Sequence, residues 1–491
     1  MNRKAKIVAT LGPASQDRDT LIRMIKAGMD VARLNFSHGT HEEHAQRIQM
    51  LRELSEELNK PITILQDLQG PKLRVGDLPG GEIQLALGEI IVLSSHPEDA
   101  KQDPRYADKE IIPFDVPDLE KSVQPGNRIL MDDGALEIQV VGVGPNSVEA
   151  QVILGGLLKS HKGVNLPRAN LNIPGFTDKD RADLQFGIQS GVDAVAISFV
   201  RNAEDIHIVR QAITNLAQEY APEAAHTPII AKIELPEAVE HLHEIIHAAD
   251  GVMVARGDLG IEMSPQSVPD TQKEIIEMAN RHAKIVITAT QMLDSMIHNP
   301  RPTRAEASDV ANAVFDGTDA VMLSGETASG LYPVESIAMM DAIVCEAEEH
   351  YDRWGHYQQF PDEVATQADS LSMTRAAREL AHDRGVAAIA VFTVAGRTAM
   401  YMSKARPRVP IMAFTPERTT YYRLGLYWGV TPFLVPFATT IETMLAHVEA
   451  ALFASSNLTP GQQVVCISGF PVGVMREPNF ALLYTLGNPL K

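Results

Sequence analysis

The chain has 491 residues, 45% hydrophobic and 22% charged, enough for two to four domains with sizeable cores. Its formal net charge of −20 argues against a nucleic-acid partner, whose phosphates need a basic face, while leaving room for an anionic small molecule held by locally concentrated cations. Two cysteines, Cys345 and Cys466, permit one bridge at most, and no run reaches the ~18 apolar residues of a membrane span. The brief apolar run after Arg3, Lys4 and Lys6 is too short for a secretory signal, so the expected compartment is a reducing cytoplasm, with no membrane partner.

Eight apolar segments between Lys6 and Ser324 read as strands: Lys6–Thr10, Val31–Asn35, Ile62–Gln66, Ala194–Phe199, Ile229–Ile233, Val252–Ala255, Ile285–Thr288 and Ala320–Leu323. Most are nearly continuous in apolar or small residues, as parallel strands covered on both faces should be. Helical patterns lie between them. Leu21, Ile22, Met24 and Ile25 share one apolar face, and Ile48, Leu51, Leu54 and Leu58 another. Thr303-Arg304-Ala305-Glu306 is a capping box, and Gly317 marks the end of the helix it opens. The alternation predicts an α/β fold, a (β/α)8 TIM barrel, built from residues 1–70 and 171–345.

The alternation breaks once. Residues 71–170 carry short β-like runs: Leu73–Val75, Glu82–Leu87, Glu89–Ser94, Arg128–Met131, Leu136–Val143 and Ser147–Ile153. Turn signals such as Pro79-Gly80-Gly81 and Asp133-Gly134 separate them. An all-β domain inserted in a βα loop would sit over the C-terminal face of the barrel, where active sites lie, and would serve as a lid. A second αβ pattern starts near residue 346, with strands expected at Ala387–Phe392, Ile411–Phe414 and Val464–Ser468. It reads as a smaller open α/β domain, 346–491, for regulation or oligomerisation, entered through a polar linker over Trp354–Asp369.

Polar residues gather where the barrel strands should end. Lys232 and Glu234 share parity on one strand and so face one side. Asp258 lies at the tip of the next strand, in Met253-Val254-Ala255-Arg256-Gly257-Asp258-Leu259-Gly260, and neighbouring strands are roughly 4.8 Å apart. Two carboxylates so placed make a Mg2+ or Mn2+ site, completed by water and substrate oxygens. A structural Lys–Glu pair beside an ordinary turn aspartate is the plainer alternative, and a Schiff-base lysine is a third reading of Lys232. Arg33, Asn35 and Ser37 alternate with Leu34 and Phe36. They form a donor row whose arginine suits a phosphate or carboxylate; a strand end with a helix N-cap at Ser37 competes with that reading. Asp67 ends a third strand facing the same rim. The strand ends at Thr288–Gln291 and Ser324–Thr327 add hydroxyls and a carboxylate, each of which a capping role also explains. No Walker A sequence is present, so any nucleotide phosphate must be held another way.

Five of these stretches, Arg33-Leu34-Asn35-Phe36-Ser37-His38-Gly39, Lys232-Ile233-Glu234, Met253–Gly260, Ala289-Thr290-Gln291-Met292-Leu293 and Asn299-Pro300-Arg301-Pro302-Thr303-Arg304-Ala305-Glu306, together resemble pyruvate kinase, in order and over essentially the whole chain. The resemblance, to a bacterial form, implies transfer of the phosphoryl group of phosphoenolpyruvate to ADP, giving pyruvate and ATP, by a cytoplasmic homotetramer. It implies Mg2+ (or Mn2+) on Glu234 and Asp258, and substrate at Arg33, Lys232, Gly257, Asp258 and Thr290. Lys232 would lie near the bridging oxygen and Arg33 on the phosphoryl group. Thr290 would lie near C3 of the enolate, where a water relay suits a hydroxyl whose own pKa is too high for a free acid. Asn35, Ser37, His38, Arg74, Lys162 and Asn165 match nucleotide-side positions.

The chain departs from the family pattern at one place. Members that require K+ hold it with the equivalents of Asn35, Ser37, Asp67 and the Leu68 carbonyl, and carry glutamate where this chain has Lys72. An ammonium group is itself a monovalent cation, so added K+ is expected to be unnecessary. Phe392–Thr398 resembles the family's effector-phosphate loop, with Thr393, Gly396, Arg397 and Thr398 as candidate ligands for a phosphorylated effector such as a sugar phosphate or AMP. Ala395 stands where serine or threonine is common, and an ordinary βα turn explains the same residues. Two rival functions remain. A metal-dependent lyase or aldolase of the phosphoenolpyruvate/pyruvate barrel type would share the Glu/Asp pair. A catalytically silent effector-binding protein would have no use for Lys232, Glu234, Asp258 and Thr290 together.

Overall fold

The computed structural model of the chain describes residues 3–106, 109–116, 118–167, 173–355, 369–474 and 476–488. Asn170, the expected end of the inserted domain, and residues 356–368 of the expected linker lie outside them. Eight parallel strands close into a barrel in sequence order: Lys6–Thr10, Val31–Asn35, Thr63–Asp67, Ala194–Ile197, Ile229–Ile233, Gly251–Ala255, Ile285–Ala289 and Ala320–Leu323, the last pairing with the first. All eight expected strands form. The fourth stops at Ile197 rather than Phe199, because Phe199 takes a left-handed φ of 55° through which no strand continues.

Strand parity sorts the side chains. Val8, Val31, Leu65, Ile230, Met253 and Ile287 fill the barrel interior, joined by Leu426 of the C-terminal domain. Residues of opposite parity, among them Ile7, Ala32, Ile64, Ile229 and Val252, pack against the surrounding helices. Two residues beyond Val8, Val31, Leu65 and Ile230, on the same inward face, stand Thr10, Arg33, Asp67 and Lys232. The apolar interior therefore gives way to a polar rim within one pleat. Helix Arg304–Asp316 opens on the expected Thr303/Glu306 box and ends on Gly317 at φ 97°. Ser37 is not a helix cap. Helix His41–Glu57 starts on Thr40, whose side chain accepts the Glu43 N–H while Glu43 returns the bond.

Between the third strand and helix Asp178–Ser190, the inserted segment folds into a seven-stranded and a two-stranded sheet around its own core of residues such as Leu93, Phe114, Ile129 and Ile138. It contains three strands the sequence reading passed over: Ile111–Asp115, Gly156–Lys159 and Val164–Asn165. The first holds Pro113, the second opens on glycine, and the third has two residues, so none shows a strand pattern. The C-terminal domain is a five-stranded sheet in the order Val430–Leu434, Ile411–Thr415, Ala388–Phe392, Gln463–Ser468, Phe480–Thr485, the last strand antiparallel. Its two edge strands were also unread. Pro432 sits inside one, and the other is a half-exposed apolar run without alternation.

Buried polar contacts join the C-terminal domain to the barrel floor. Asp319, just ahead of the eighth strand, accepts the Val286 N–H at 2.8 Å and pairs with Lys404 and Arg406. Lys6 donates to the Val430 carbonyl at 2.8 Å, and Leu426 lies fully buried against the barrel interior. Cys345 and Cys466 are both free thiols. Among the described residues no helix is long and apolar enough to cross a membrane.

Candidate active site

The polar rim is a network around Asp67. Arg33 donates through Nε to Asp67 Oδ2 at 2.6 Å and through Nη1 to Thr10 Oγ1 at 2.9 Å. The Lys232 ammonium lies 2.7 Å from Glu234 Oε1, 3.6 Å from Asp67 Oδ1 and 2.8 Å from Ser198 Oγ. Burial by itself would lower the Lys232 pKa, but the carboxylates of Asp67 and Glu234 outweigh it and leave the value raised, so the group is a fixed positive charge.

Glu234 is 2% exposed. Its Oε2 accepts the Phe199 N–H at 2.8 Å, from the left-handed residue that ends the fourth strand. Burial pushes its carboxyl up; Lys232 opposes that rise and the Asp258 charge adds to it. A buried carboxylate that feels the charge of a second, half-buried one is unfavourable unless a cation joins them, and an oxygen-only donor pair of this kind suits a hard divalent cation. The residues present therefore fit Mg2+ or Mn2+. Asp258 lies in the first turn of the short helix Arg256–Glu262, which follows the sixth strand without a loop. The glycine-bracketed tip expected from the sequence is thus helical. The sixth strand is the neighbour of the fifth, with Lys232 in register with Met253.

Gly257 N–H donates to Thr290 Oγ1 at 2.7 Å, and that hydroxyl donates to the Ala289 carbonyl at 2.7 Å. The glycine amide expected to face a substrate carboxylate is engaged by Thr290 here. Thr290 and Gln291 have φ of 68° and 53°. For non-glycine residues that conformation costs ~1–3 kcal/mol each and gathers at functional sites. Arg256 holds the strained turn, donating to the Thr290 carbonyl at 2.7 Å, the Ala289 carbonyl at 3.2 Å and Asp309 at 2.7 Å.

The expected nucleotide-side residues are less tightly grouped. Asn35 Oδ1 accepts the Ser37 N–H at 3.0 Å. The His38 imidazole is pulled below its ordinary pKa by burial and by the charges of Lys72, Arg74 and Arg33. Arg74 donates to the His161 carbonyl at 2.8 Å. Lys162 pairs with Asp132 at 2.7 Å inside the inserted domain. Asn165 does reach the barrel, donating to Glu262 Oε1 at 2.7 Å. Burial pushes the Glu262 carboxyl up to about 7; the Asn165 bond opposes the rise, and Glu237, Asp258 and Glu234 add to it. The Lys72 ammonium is lowered by burial and by Arg74, while Asp133 and Asp258 counter that shift. It makes no hydrogen bond or ion pair among the described residues. Asp67 Oδ1 is buried without a hydrogen-bond partner among the described residues, and the Leu68 carbonyl accepts the Ser198 hydroxyl at 2.8 Å.

In the C-terminal domain, Thr393 Oγ1 accepts the Gly396 N–H at 2.9 Å. Gly396, at φ 87°, leads into helix Arg397–Lys404. A cavity of about 660 Å3 opens at this turn, lined by Phe392, Thr393, Arg397, Thr398, Phe414 and Glu477 among others. Arg397 is largely exposed and 3.6 Å from Glu477.

Four rim residues went unread in the sequence. Thr10 and Ser198 share parity with Val8 and Ala196, a signal that was available. Arg256, a charge placed straight after a buried strand, was another. Glu262 left no local trace, because its partner Asn165 is distant in sequence.

Comparison with known proteins matches residues 2–337 to the barrel domain of pyruvate kinase and residues 372–483 to its alpha/beta domain. Pyruvate kinase of Geobacillus stearothermophilus is 44% identical over 495 residues, covering 100% of this chain and 81% of that protein. Pyruvate kinase 2 of Synechocystis sp. is 43% identical, covering 96% of this chain and 77% of that one. The crystal structure of a pyruvate kinase from Cryptosporidium parvum superposes with a TM-score of 0.88 at 34% identity, covering 99% of this chain and 96% of that one. A closed barrel, an inserted β domain, a C-terminal α/β domain and family matches across both halves lead to one conclusion: the chain belongs to the pyruvate kinase family.

Proposed function

We propose that the rim of this barrel transfers the phosphoryl group of phosphoenolpyruvate to ADP, giving pyruvate and ATP at the last step of glycolysis. The observation that carries the reading is the Lys232 ammonium, kept charged between Asp67 and Glu234 beside a strand end that bears a second carboxylate, Asp258. Phosphoryl transfer asks for positioning and charge neutralisation more than covalent chemistry, and the rim supplies both. Glu234 and Asp258 would hold Mg2+ or Mn2+, which neutralises charge on the phosphate and carboxylate of the substrate. Arg33 offers its guanidinium to the phosphoryl group. Lys232 sets a positive charge beside the bridging oxygen as its bond to phosphorus breaks and the enolate forms. Gly257 would bind the carboxylate through its N–H, a role that requires its bond to Thr290 Oγ1 to open, and Thr290 positions the water that protonates C3. Asn35, Ser37, His38, Arg74, Lys162 and Asn165 serve the nucleotide, with the inserted domain as a lid. For Lys162 that role requires its Asp132 pair to open.

A lactate-dehydrogenase-coupled assay tests the reading. Pyruvate release that needs both ADP and Mg2+ supports it; release without ADP would return the lyase alternative, which the family matches do not favour. K+ is a separate matter. The uncommitted Lys72 ammonium in the field of Asp258 supports a lysine standing in for the monovalent cation that Asn35, Ser37, Asp67 and the Leu68 carbonyl would otherwise hold. Full activity is expected in tetramethylammonium buffer. Lys72→Glu should lose ~10-fold or more there, about 1.4 kcal/mol on the barrier, and regain it on adding K+. Wild-type activity that appears only with K+ would defeat this assignment.

The cavity at Thr393, Gly396, Arg397 and Thr398 is the proposed site of a phosphorylated effector, a sugar phosphate or AMP, because its helix start and arginine suit a phosphate. Titration of such compounds at subsaturating phosphoenolpyruvate should change the rate, and Arg397→Ala should abolish the response while sparing the basal rate. No response to any of them leaves the turn without a ligand role. A cytoplasmic homotetramer completes the proposal, its assembly measurable by sedimentation.

A further inference from the structure

A second cluster of metal-ligating side chains lies outside the rim. His243 and His247 are one turn apart on helix Leu242–Ala248, and His282 caps the C-terminus of helix Val268–Arg281. These helices follow the fifth and sixth strands. His247 and His282 come just ahead of the sixth and seventh strands, which puts the cluster at the end of the barrel opposite the rim. One nitrogen from each of the three rings lies within 4.8 Å of the other two. The ring centroids are 4.6 to 5.2 Å apart, and the planes cross at 62° to 85°. Edge-to-face contact of this kind is what ring packing by itself favours, so the observation that points to a ligand is the convergence of the three nitrogens.

His282 is 5% exposed, and its Nδ1 is 2.9 Å from the Met278 carbonyl. A carbonyl only accepts, so Nδ1 carries the proton and Nε2 carries the lone pair. A backbone carbonyl fixing one ring nitrogen so that the other can bind is the usual support of a metal-bound histidine. His243 and His247 are exposed and have the i, i+4 spacing that puts two imidazoles on one helix face. With bonds of ~2.0–2.1 Å, a tetrahedral ion needs ligand nitrogens about 3.4 Å apart, so binding would draw closer the rings whose nitrogens now lie within 4.8 Å. Three imidazoles without a carboxylate are a poor site for Mg2+ or Ca2+ and a good one for zinc-class ions.

We infer that His243, His247 and His282 bind one zinc-class divalent cation through three imidazole nitrogens, tying helix Leu242–Ala248 to helix Val268–Arg281, with the fourth position open to water. The site is structural. Glu244, which in His-Glu-x-x-His hydrolases would serve as the base, is exposed and pairs with His241 at 4.0 Å.

The test is calorimetric titration of the full chain with ZnCl2 in saturating Mg2+, which keeps the carboxylate pair at the rim occupied, together with thermal melts and Co2+ absorption spectra. Wild type should take up one Zn2+ per chain at this site, melt at higher temperature with the ion, and give the intense visible bands of low-coordinate Co2+. His243→Ala and His247→Ala should each weaken binding by at least ~10-fold, and the double variant should lose the site, the Tm rise and the Co2+ bands. Because both residues are exposed and remote from the rim, phosphoryl transfer in Mg2+ should be unchanged, which reports an intact fold. Equal Zn2+ stoichiometry and equal Tm rise in wild type and double variant, or no Zn2+ uptake by wild type, would overturn the inference.

Discussion

Lys232→Met is expected to lower ADP-dependent pyruvate formation by ~10²–10³-fold or more, the cost of removing one preorganised charge or donor from a developing negative oxygen. Methionine is one atom shorter than lysine but similar in volume, so the barrel interior around Ile230 and Met253 is left with little cavity to collapse into. The electrostatic change is larger. Asp67 keeps Arg33 at 2.6 Å, whereas Glu234 loses the ammonium at 2.7 Å and retains the Phe199 N–H. A divalent cation restores that balance, so the variant should stay folded by circular dichroism and gain more thermal stability from Mg2+ than wild type does. Turnover retained within a few-fold would remove Lys232 from the role assigned to it.

The largest stability effect is expected far from the chemistry. Asp319 is 1% exposed and carries three interactions: the Val286 N–H, the Lys404 ammonium and the Arg406 guanidinium. Lys404 also donates to Asn280 Oδ1 at 2.7 Å, and burial pulls its pKa down to about 8 against the Asp319 charge. Asp319→Ala leaves two buried cations without their carboxylate. Breaking one side of a buried pair typically costs ~3–5 kcal/mol, here at the junction of barrel floor and C-terminal domain. Thermal unfolding should show a Tm lowered by on the order of 10 °C. Asp319→Leu combined with Lys404→Met should recover part of the loss, because the desolvated charges go with the pair. A Tm unchanged by Asp319→Ala would mean that the Asp319 ion cluster does not carry the stability assigned to it and that the remaining contacts, such as Lys6 with the Val430 carbonyl and buried Leu426, hold the junction.

The barrel could be read from the chain because each strand is a short buried apolar run whose parity continues into function: Val31 leads to Arg33, Leu65 to Asp67, Ile230 to Lys232. What stayed hidden depended on partners distant in sequence. Glu262 is buried and accepts a hydrogen bond from Asn165 of the inserted domain. Val430–Leu434 is a strand despite Pro432 because it lies at a sheet edge, where a missing N–H costs little. The competing reading of Ser37 as a helix cap fails because the helix starts on Thr40, whose box with Glu43 satisfies more backbone donors. The helix Arg256–Glu262 that presents Asp258 was disguised by two glycines, residues of low helix propensity that packing against the rim overrides.

Phosphorus NMR of the protein with phosphoenolpyruvate, ADP and Mg2+ follows the phosphoryl group itself. If Lys232, Glu234 and Asp258 serve phosphoryl transfer, the phosphoenolpyruvate signal falls as the γ-phosphate of ATP rises in equal amount, and neither change occurs with Lys232→Met. Loss of phosphoenolpyruvate to inorganic phosphate with no ATP formed, or ATP formed at the wild-type rate by the methionine variant, would contradict it.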